Sequence, residues 1–314
     1  MDVLNKFKHL IYGPEISIFH EFHKPPYGGG NQFLIALEKE LKRMGHDVGR
    51  NKIGNQTKVC LFNSFNFDFA QLSHLKNRFH PKMIHRVDGP VSVYRGTDQK
   101  IDREIWEMNH KLADQTIFQS QYSLNKHLEM GFEFKNPSVI HNATDPEIFN
   151  KNDRIYPPGK DRKIRVMATS WSSNPNKGAS FYEYLDKSLD YSKFEFTFLG
   201  NCPYKFINAT HAEPLPSEGV AVMLKKHDIY ITASANDPCS NALIEALSCG
   251  LPAVYLDSGG HPELVKGGGE AFTDENNILE AINKVTSNYE HYQNSISVSP
   301  LKEVAGKYLE IFNS

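Results

Sequence analysis

The sequence lacks several features that would identify a functional class. Its four cysteines are scattered and form no Cys-x-x-Cys pair. This spacing indicates neither a disulfide framework nor a zinc site, and it fits a reducing compartment. No stretch approaches the roughly 18 consecutive apolar residues that a membrane helix needs. We therefore expect a cytoplasmic protein, and we leave open a peripheral contact with a membrane.

An excess of basic charge is also absent. The chain has 35 Lys and Arg against 37 Asp and Glu in 314 residues, with a net charge of -2. Domains that bind nucleic acid usually carry a basic field, so we expect no nucleic-acid partner.

Sequence patterns for metals and dinucleotides are missing as well. The chain contains no Asp-x-Asp, a pattern that bridges Mg²⁺ or Mn²⁺ to a diphosphate. His20 and His23 lie three residues apart, but no third ligand accompanies them. No Gly-x-Gly-x-x-Gly follows the first predicted strand, which disfavours a dinucleotide-dependent oxidoreductase. We predict that the protein uses no metal and no cofactor.

What the sequence does contain is an alternation of short apolar runs and amphipathic segments. This alternation is typical of βαβ units, and the length suits two domains. The predicted strands of the two halves are His9–Tyr12, Val59–Phe62, Met83–Val87, Thr116–Gln119 and Val139–Ile140, then Ile164–Ala168, Phe194–Leu199, Ile229–Thr232 and Ala253–Leu256. The polar segment Lys151–Lys163 has no apolar period and indicates a linker. The prediction is an α/β protein with domains at 1–155 and 160–298, and a terminal helix within 299–314.

The most informative segment runs from Asp237 to Pro252, directly after a predicted strand. Ser240 or Asn241 can cap a helix that Gly250 and Pro252 then end. Asp237 precedes this helix, and Glu245 lies about one turn inside it. The N–H groups at the helix start suit a phosphate, and the two acids can accept hydrogen bonds from hydroxyl groups. Spacing alone equally allows a helix with a capping acid and an exposed glutamate.

These residues resemble the acid-x7-acid donor motif of the retaining family 4 glycosyltransferases, which have the GT-B fold. The segment Gly259-Gly260-His261-Pro262-Glu263 is similar to the Gly-Gly-x-Pro-Glu turn of that family. The resemblance implies two Rossmann-like doubly wound domains, with the nucleotide-sugar donor bound by the C-terminal one. It also implies that Cys239, Ser240 and Asn241 contribute to donor binding. The family usually has Glu where this chain has Asp237.

A candidate cation follows the first strand of the second half. Lys177-Gly178 resembles a family segment whose basic residues hold the donor phosphates, so Lys177 becomes a donor-binding and catalytic candidate. Where the family carries an Arg five or six residues earlier, this chain has Ser172 and Trp171. Without the resemblance, a Lys-Gly pair in a loop is usually only a solvated turn.

Two further candidates lie in the first half. Gly28-Gly29-Gly30 resembles the glycine loop of the family, so we assign Gly29 and Gly30 to donor binding; a glycine triplet is otherwise a flexible turn. Asp88 ends a predicted strand near the position of a cleft histidine in many relatives, and it becomes the candidate polar group on the acceptor side. The alternative is a turn formed by Asp-Gly-Pro.

The sequence thus predicts transfer of a hexosyl unit from a nucleoside diphosphate sugar to an acceptor hydroxyl, without a metal and with retention. UDP-sugar is the favoured donor and GDP-sugar the alternative. The acceptor can be a glycan, a lipid-linked acceptor or a small molecule. A non-catalytic sugar-nucleotide binding protein and a nucleotide-sugar hydrolase or 2-epimerase remain as alternatives.

Overall fold

The structure is a computed structural model, which describes residues 12–23, 29–155 and 162–314. Its strands form two parallel sheets of six strands each. The strands of the first sheet are β1 (Ile16–Phe19), β2 (Val48–Arg50), β3 (Val59–Asn63), β4 (Lys82–Val87), β5 (Gln115–Phe118) and β6 (Pro137–Val139). Those of the second are β7 (Ile164–Ser170), β8 (Phe194–Gly200), β9 (Thr210–Ala212), β10 (Ile229–Thr232), β11 (Ala253–Leu256) and β12 (Gly269–Phe272).

Helices connect these strands, as parallel pairing requires. In the first half they are α1 (Gly29–Arg43), α2 (Phe69–Phe79), α3 (Val91–Arg95), α4 (Lys100–Leu112) and α5 (Gln121–Glu129). In the second half they are α6 (Ala179–Ser188), α7 (Ser217–Lys225), α8 (Asn241–Ser248), α9 (His261–Val265), α10 (Glu275–Ser287) and α11 (Tyr289–Asn294), and α12 (Leu301–Asn313) ends the chain. The α/β prediction is confirmed.

The described residues divide into two compact units. The first contains 12–23, 30–142 and 300–314, and the second contains 29, 143–155 and 162–299. The boundary therefore falls at 142/143, earlier than the predicted 155–160. Residues 143–155 precede or overlap the predicted linker Lys151–Lys163, but Phe149 packs into a hydrophobic core of the second unit and Arg154 donates to the carbonyl of Asp228. Helix α12 lies in the first unit, where Tyr308 packs against Phe33.

The first described strand is not one that the sequence predicted. Of the predicted strand His9–Tyr12, only Tyr12 lies among the described residues, where it is in a turn. The described sheet contains Ile16–Phe19, a strand of four buried residues that pairs with both β2 and β3. Burial on both faces removes the alternation by which a strand is usually recognised, and Ser17 interrupts its apolar run.

Candidate active site

The strand order of the second sheet defines where a ligand can bind. The order is β12-β11-β10-β7-β8-β9, so the chain leaves β7 towards β8 and β9 and then returns to β10 on the other side of β7. Such a reversal opens a crevice at the carboxyl ends of the two strands that flank it, which is the usual ligand site of open parallel sheets. Lys177 follows β7 and Asp237 follows β10. The topology therefore carries both predicted residues to one crevice.

The loop that carries Lys177 is held against the end of β10. Asn174 accepts a hydrogen bond from the N–H of Asn176 (2.8 Å), which starts a single turn of 3₁₀ helix over Pro175–Lys177. The carbonyl of Asn176 in turn accepts from the N–H of Ala235 (2.7 Å). Gly178 has φ = 77°, and a Cβ there would lie 2.3 Å from the carbonyl oxygen of Ala233. A glycine is thus required for the loop to approach β10 this closely.

Lys177 and Asp237 form an ion pair. The Lys177 Nζ lies 3.0 Å from the Asp237 Oδ2, with side-chain exposures of 37% and 14%. Burial is the largest influence and raises the pKa of Asp237, but Lys177, His261 and the hydrogen bond from the N–H of Cys239 together hold that pKa below its ordinary value. Asp237 is therefore a carboxylate at neutral pH. Its second oxygen accepts from the N–H of Cys239 (3.2 Å), which orients the group.

A second loop clamps the backbone around Asp237. The N–H of Gly260 donates to the carbonyl of Asp237 (2.9 Å), and the N–H of Asn236 donates to the Ser258 hydroxyl (2.9 Å). Gly259 has φ = 67°, and a Cβ there would lie 2.3 Å from the Asp237 carbonyl oxygen. This contact gives the Gly-Gly pair of the sequence a physical role, because only glycine lets the loop approach the backbone of the acid.

Helix α8 begins immediately after this acid. Ser240 caps it by accepting from the N–H of Leu243 (3.4 Å), as predicted from the sequence. Cys239 lies in a hydrophobic core, so only its backbone faces the site. Asn241 is the first helical residue. The helix start provides backbone N–H groups and the positive end of the helix dipole, an arrangement that suits a phosphate.

Glu245 lies on α8 in an unusual electrostatic environment. Burial raises the pKa of Glu245 to about 8. Among the residues that the structure describes, none donates a hydrogen bond to its carboxyl group. A half-buried carboxyl group without a protein partner is suited to bind hydroxyl groups of a ligand, and such a ligand would favour its ionised form.

His261 is a site residue that the sequence reasoning did not select. It is fully buried, its Nδ1 donates to the carbonyl of Leu256 (3.0 Å), and no described residue pairs with its Nε2. Burial lowers its pKa, so the ring is neutral at pH 7 with a lone pair on Nε2; the opposing charge of Asp237 acts to raise that pKa. Its position in the Gly-Gly-x-Pro-Glu segment was the sequence feature that could have identified it.

Asp88 is fixed at the end of β4 in the first unit. Its carboxylate accepts from the Arg86 Nη1 (3.0 Å) and from the Gln119 Nε2, and its N–H donates to the Ser64 hydroxyl (3.0 Å). Its side chain is 25% exposed. Arg86 itself is fully buried and also donates to Asn142 (2.6 Å). Asp88 is thus an oriented acid that remains accessible, and not merely a turn former.

The glycine segment receives less structural support. Gly28 lies outside the described residues, and Gly29 is the first residue of α1. A Cβ at Gly30 would meet no atom within 4 Å. Packing within the described chain therefore does not require glycine at position 30, and a ligand-contact role for Gly29 and Gly30 stays a prediction.

Two further features of the described residues bear on the class of site. Among residues 12–23, 29–155 and 162–314, no three or more His, Cys, Asp or Glu side chains cluster closely enough to hold a metal ion. Within the same residues, no helix has the length and apolar character needed to cross a membrane.

Comparison with known proteins bears on the family of one segment and on the fold. Residues 208–298 match the family model of the glycosyl transferases group 1. No curated protein gives a significant match. Sucrose-phosphate synthase from Thermosynechococcus elongatus is similar in structure, with 13% identity, a TM-score of 0.69, and coverage of 95% of this chain and 98% of that one.

Two other solved structures are similar over almost the whole chain. HepE from Anabaena, in complex with UDP and glucose, has 14% identity and a TM-score of 0.71, with 96% of this chain and all of that one covered. The catalytic domain of starch synthase IV from Arabidopsis thaliana, bound to ADP and acarbose, has 11% identity and a TM-score of 0.73, with coverages of 96% and 99%.

The fold is GT-B. At these identities the likeness shows the fold, and the match over 208–298 adds support for a glycosyltransferase. That segment contains Asp237, Glu245 and the glycine turn, while Lys177 lies outside it. Lys177 belongs to the site on geometry alone, through its 3.0 Å contact with Asp237.

Proposed function

We propose that this protein transfers a hexosyl unit from a nucleoside diphosphate sugar to an acceptor hydroxyl, with the donor bound by the second unit. The observation that carries the proposal is the Lys177–Asp237 pair at the crevice between β7 and β10, directly before the start of α8. The crevice thus combines a cation, an oriented carboxylate and backbone donors. A diphosphate joined to a sugar needs all three.

Each group has a distinct role in this proposal. Lys177 and the N–H groups at the start of α8 stabilise the negative charge that grows on the departing diphosphate. Asp237, held ionised by Lys177, accepts a hydrogen bond from a hydroxyl of the transferred sugar. Glu245 accepts hydrogen bonds from the ribose hydroxyls. Asp88 serves the acceptor side from the first unit, where Arg86 and Gln119 fix its carboxylate.

The finer chemistry is part of the proposal. Lys177 supplies the positive charge that offsets the departing diphosphate, a role that a metal ion plays in other enzymes. The proposed reaction therefore proceeds without a metal. Retention at the anomeric carbon and membership of family 4 rest on the resemblance of the two acid and glycine segments. UDP-sugar is the proposed donor. HepE was solved with UDP, and starch synthase IV with ADP, so the base needs a direct test.

Nucleotide preference is the first experiment. The melting temperature of the full chain is measured with UDP, GDP, ADP and CMP, and also with UDP-glucose, each with and without EDTA. A nucleotide at 100 times its dissociation constant stabilises the folded state by about 2.7 kcal/mol. We expect UDP to give the largest shift, unchanged by EDTA, and Asp237→Asn to reduce the shift with UDP-glucose more than the shift with UDP.

The result also separates the alternatives. A larger shift with GDP or ADP would replace the proposed donor. Binding of a nucleotide sugar without turnover under any acceptor would favour a non-catalytic binding protein. No shift with any of the four nucleotides would contradict the assigned donor site.

A further inference from the structure

The first sheet has a crevice of its own. Its order is β2-β1-β3-β4-β5-β6, so the chain leaves β1 towards β2 and then returns to β3 on the other side. The reversal lies between β1 and β3, and a ligand site is expected at their carboxyl ends. A cavity of about 510 Å³ lies there, lined by residues that follow these strands and β2. This volume is within the range of small-molecule sites, roughly 300–1,000 Å³.

The walls of this cavity are hydrogen-bonded to one another. Asn51, after β2, accepts from the N–H of His20 (2.9 Å) and donates to its carbonyl (2.9 Å). The N–H of Glu21 donates to the carbonyl of Asn66 (2.6 Å), which joins the loop after β1 to the loop after β3. The cavity is therefore built by the fold of the first unit rather than left between loose loops.

The lining has a distinctive chemistry. Three phenylalanines provide apolar surface, and the remaining residues are polar or acidic; the full lining is Phe19, His20, Glu21, Asn51, Phe65, Asn66, Phe67, Asp68 and Gln71. This lining, taken from the described residues, contains two carboxylates and neither Lys nor Arg. Arg50, the residue before Asn51, is engaged by Glu38 and lies 4.1 Å from the ring of Phe22. A phosphate or carboxylate in the cavity would face two like charges, and the described lining offers neither Lys nor Arg to offset them.

A buried polar atom at the cavity also points to a ligand. His20 is 6% exposed, and no described residue pairs with its Nδ1. Burial lowers the pKa of His20 to about 4, opposed by the charge of Asp88, so the ring is neutral at pH 7. A neutral imidazole can exchange a hydrogen bond with a hydroxyl group.

We infer that this cavity binds the acceptor and that it selects an uncharged saccharide over a phosphorylated or carboxylated one. The inference rests on the proposed function for its link to glycosyl transfer. The phenylalanine rings cover the C–H faces of a sugar. Glu21, Asp68 and the amides bind its hydroxyl groups. The two carboxylates repel an anionic acceptor.

Saturation-transfer NMR on the full chain tests this selection. The probes are the methyl glycosides of glucose, mannose and galactose, set against glucose 6-phosphate and glucuronate. We expect at least one neutral glycoside to bind and both anions to bind much more weakly. Asp68→Asn keeps the N-cap of α2, and Glu21→Gln keeps the side-chain shape. Each should weaken binding of that glycoside about tenfold, since hydrogen bonds to a charged group are lost.

Two further variants complete the test: a control with the same charge change elsewhere, and a variant that should favour the anionic sugar. Glu104→Gln makes the same charge change at an exposed position on α4 and should leave binding unchanged. Gln71→Lys places a cation in the lining and should raise the affinity for glucose 6-phosphate relative to the neutral glycoside. Preference of the wild type for either anion, or failure of every neutral glycoside to bind, would overturn the inference. Binding that is insensitive to the changes at Glu21 and Asp68 would also overturn it.

Separate nucleotide measurements keep this test independent of the proposed function. If UDP binds but the glycosides do not respond to the cavity variants, the inference fails and the donor site stands. If glycosides bind as predicted and no nucleotide binds, the cavity is a saccharide site and the transferase proposal fails. Binding to phosphatidylglycerol vesicles that requires Glu21 and Asp68 would assign the cavity to a lipid and overturn the inference.

Discussion

Replacing Glu245 by Gln tests the environment of this carboxyl group with little change in its shape. The pKa of Glu245 is raised from 4.5 to about 8 because the group is buried. The unfolded chain ionises near the ordinary value, whereas the folded chain keeps the proton until about pH 8. Between these two values the folded state binds more protons than the unfolded state, so the stability falls as the pH rises.

The size of this effect follows from the two pKa values. Stability from the protonated carboxyl group is fully present below about pH 4.5 and is lost by pH values above about 8. The full difference corresponds to about 5 kcal/mol. Glu245 is partly exposed, so solvent screens the ionised form. We expect about 2 kcal/mol, and Glu245→Gln should be more stable than the wild type by that amount at pH 9 and nearly equal to it at pH 5.

Urea unfolding from pH 5 to 9 measures the difference. The chain has two tryptophans, and Trp106→Phe in every protein leaves Trp171, which packs against the same hydrophobic core as Leu243 of α8, as the fluorescent probe. Glu213→Gln, an exposed change in the second unit, is the control and should show no pH-dependent difference. A pH dependence shared by wild type and Glu245→Gln would refute the assigned burial of the carboxyl group.

Three further changes probe the donor site. Gly259→Ala should reduce nucleotide binding strongly and destabilise the second unit, because its Cβ would lie 2.3 Å from the Asp237 carbonyl oxygen; wild-type affinity in that variant would contradict the clamped loop. A Cβ at position 30 would meet no atom within 4 Å, so Gly30→Ala should raise the stability of the helix by up to about 1 kcal/mol. A loss of activity without a loss of stability in this variant would assign Gly30 to ligand contact. Glu245→Ala should mainly raise KM, by a factor that corresponds to roughly 1.5–3 kcal/mol of lost binding free energy, whereas Lys177→Ala should lower kcat by a factor on the order of 10²–10³. Initial rates over a range of donor concentrations measure both parameters. If both variants change KM equally and leave kcat untouched, Lys177 has no role in stabilising the leaving group.

Regular periodic segments were predictable from the sequence. The predicted strands Ile229–Thr232 and Ala253–Leu256 agree with β10 and β11, because both are short apolar runs bounded by polar residues or by turn residues. The cap at Ser240 was likewise readable, since capping depends on neighbours only three residues away. These features are local, and a local pattern is sufficient to identify them.

Long-range features were not predictable in the same way. The contact between Lys177 and Asp237 joins residues 60 positions apart and depends on the order of β7 and β10 in the sheet. The composition of residues 143–155 could not reveal that Phe149 is buried in the second unit. His261 gave no signal of its own, because its role depends on its burial and on the nearby charge of Asp237.

Metal-free turnover of the donor tests the central claim most directly. UDP released from UDP-glucose is measured by chromatography in EDTA and again with added Mn²⁺, for the wild type and for Lys177→Ala. We predict that the wild type releases UDP equally in both conditions and that Lys177→Ala releases it on the order of 10²–10³ times more slowly at saturating donor. Loss of wild-type turnover in EDTA that Mn²⁺ restores would contradict the proposed role of Lys177 and the donor site built around it.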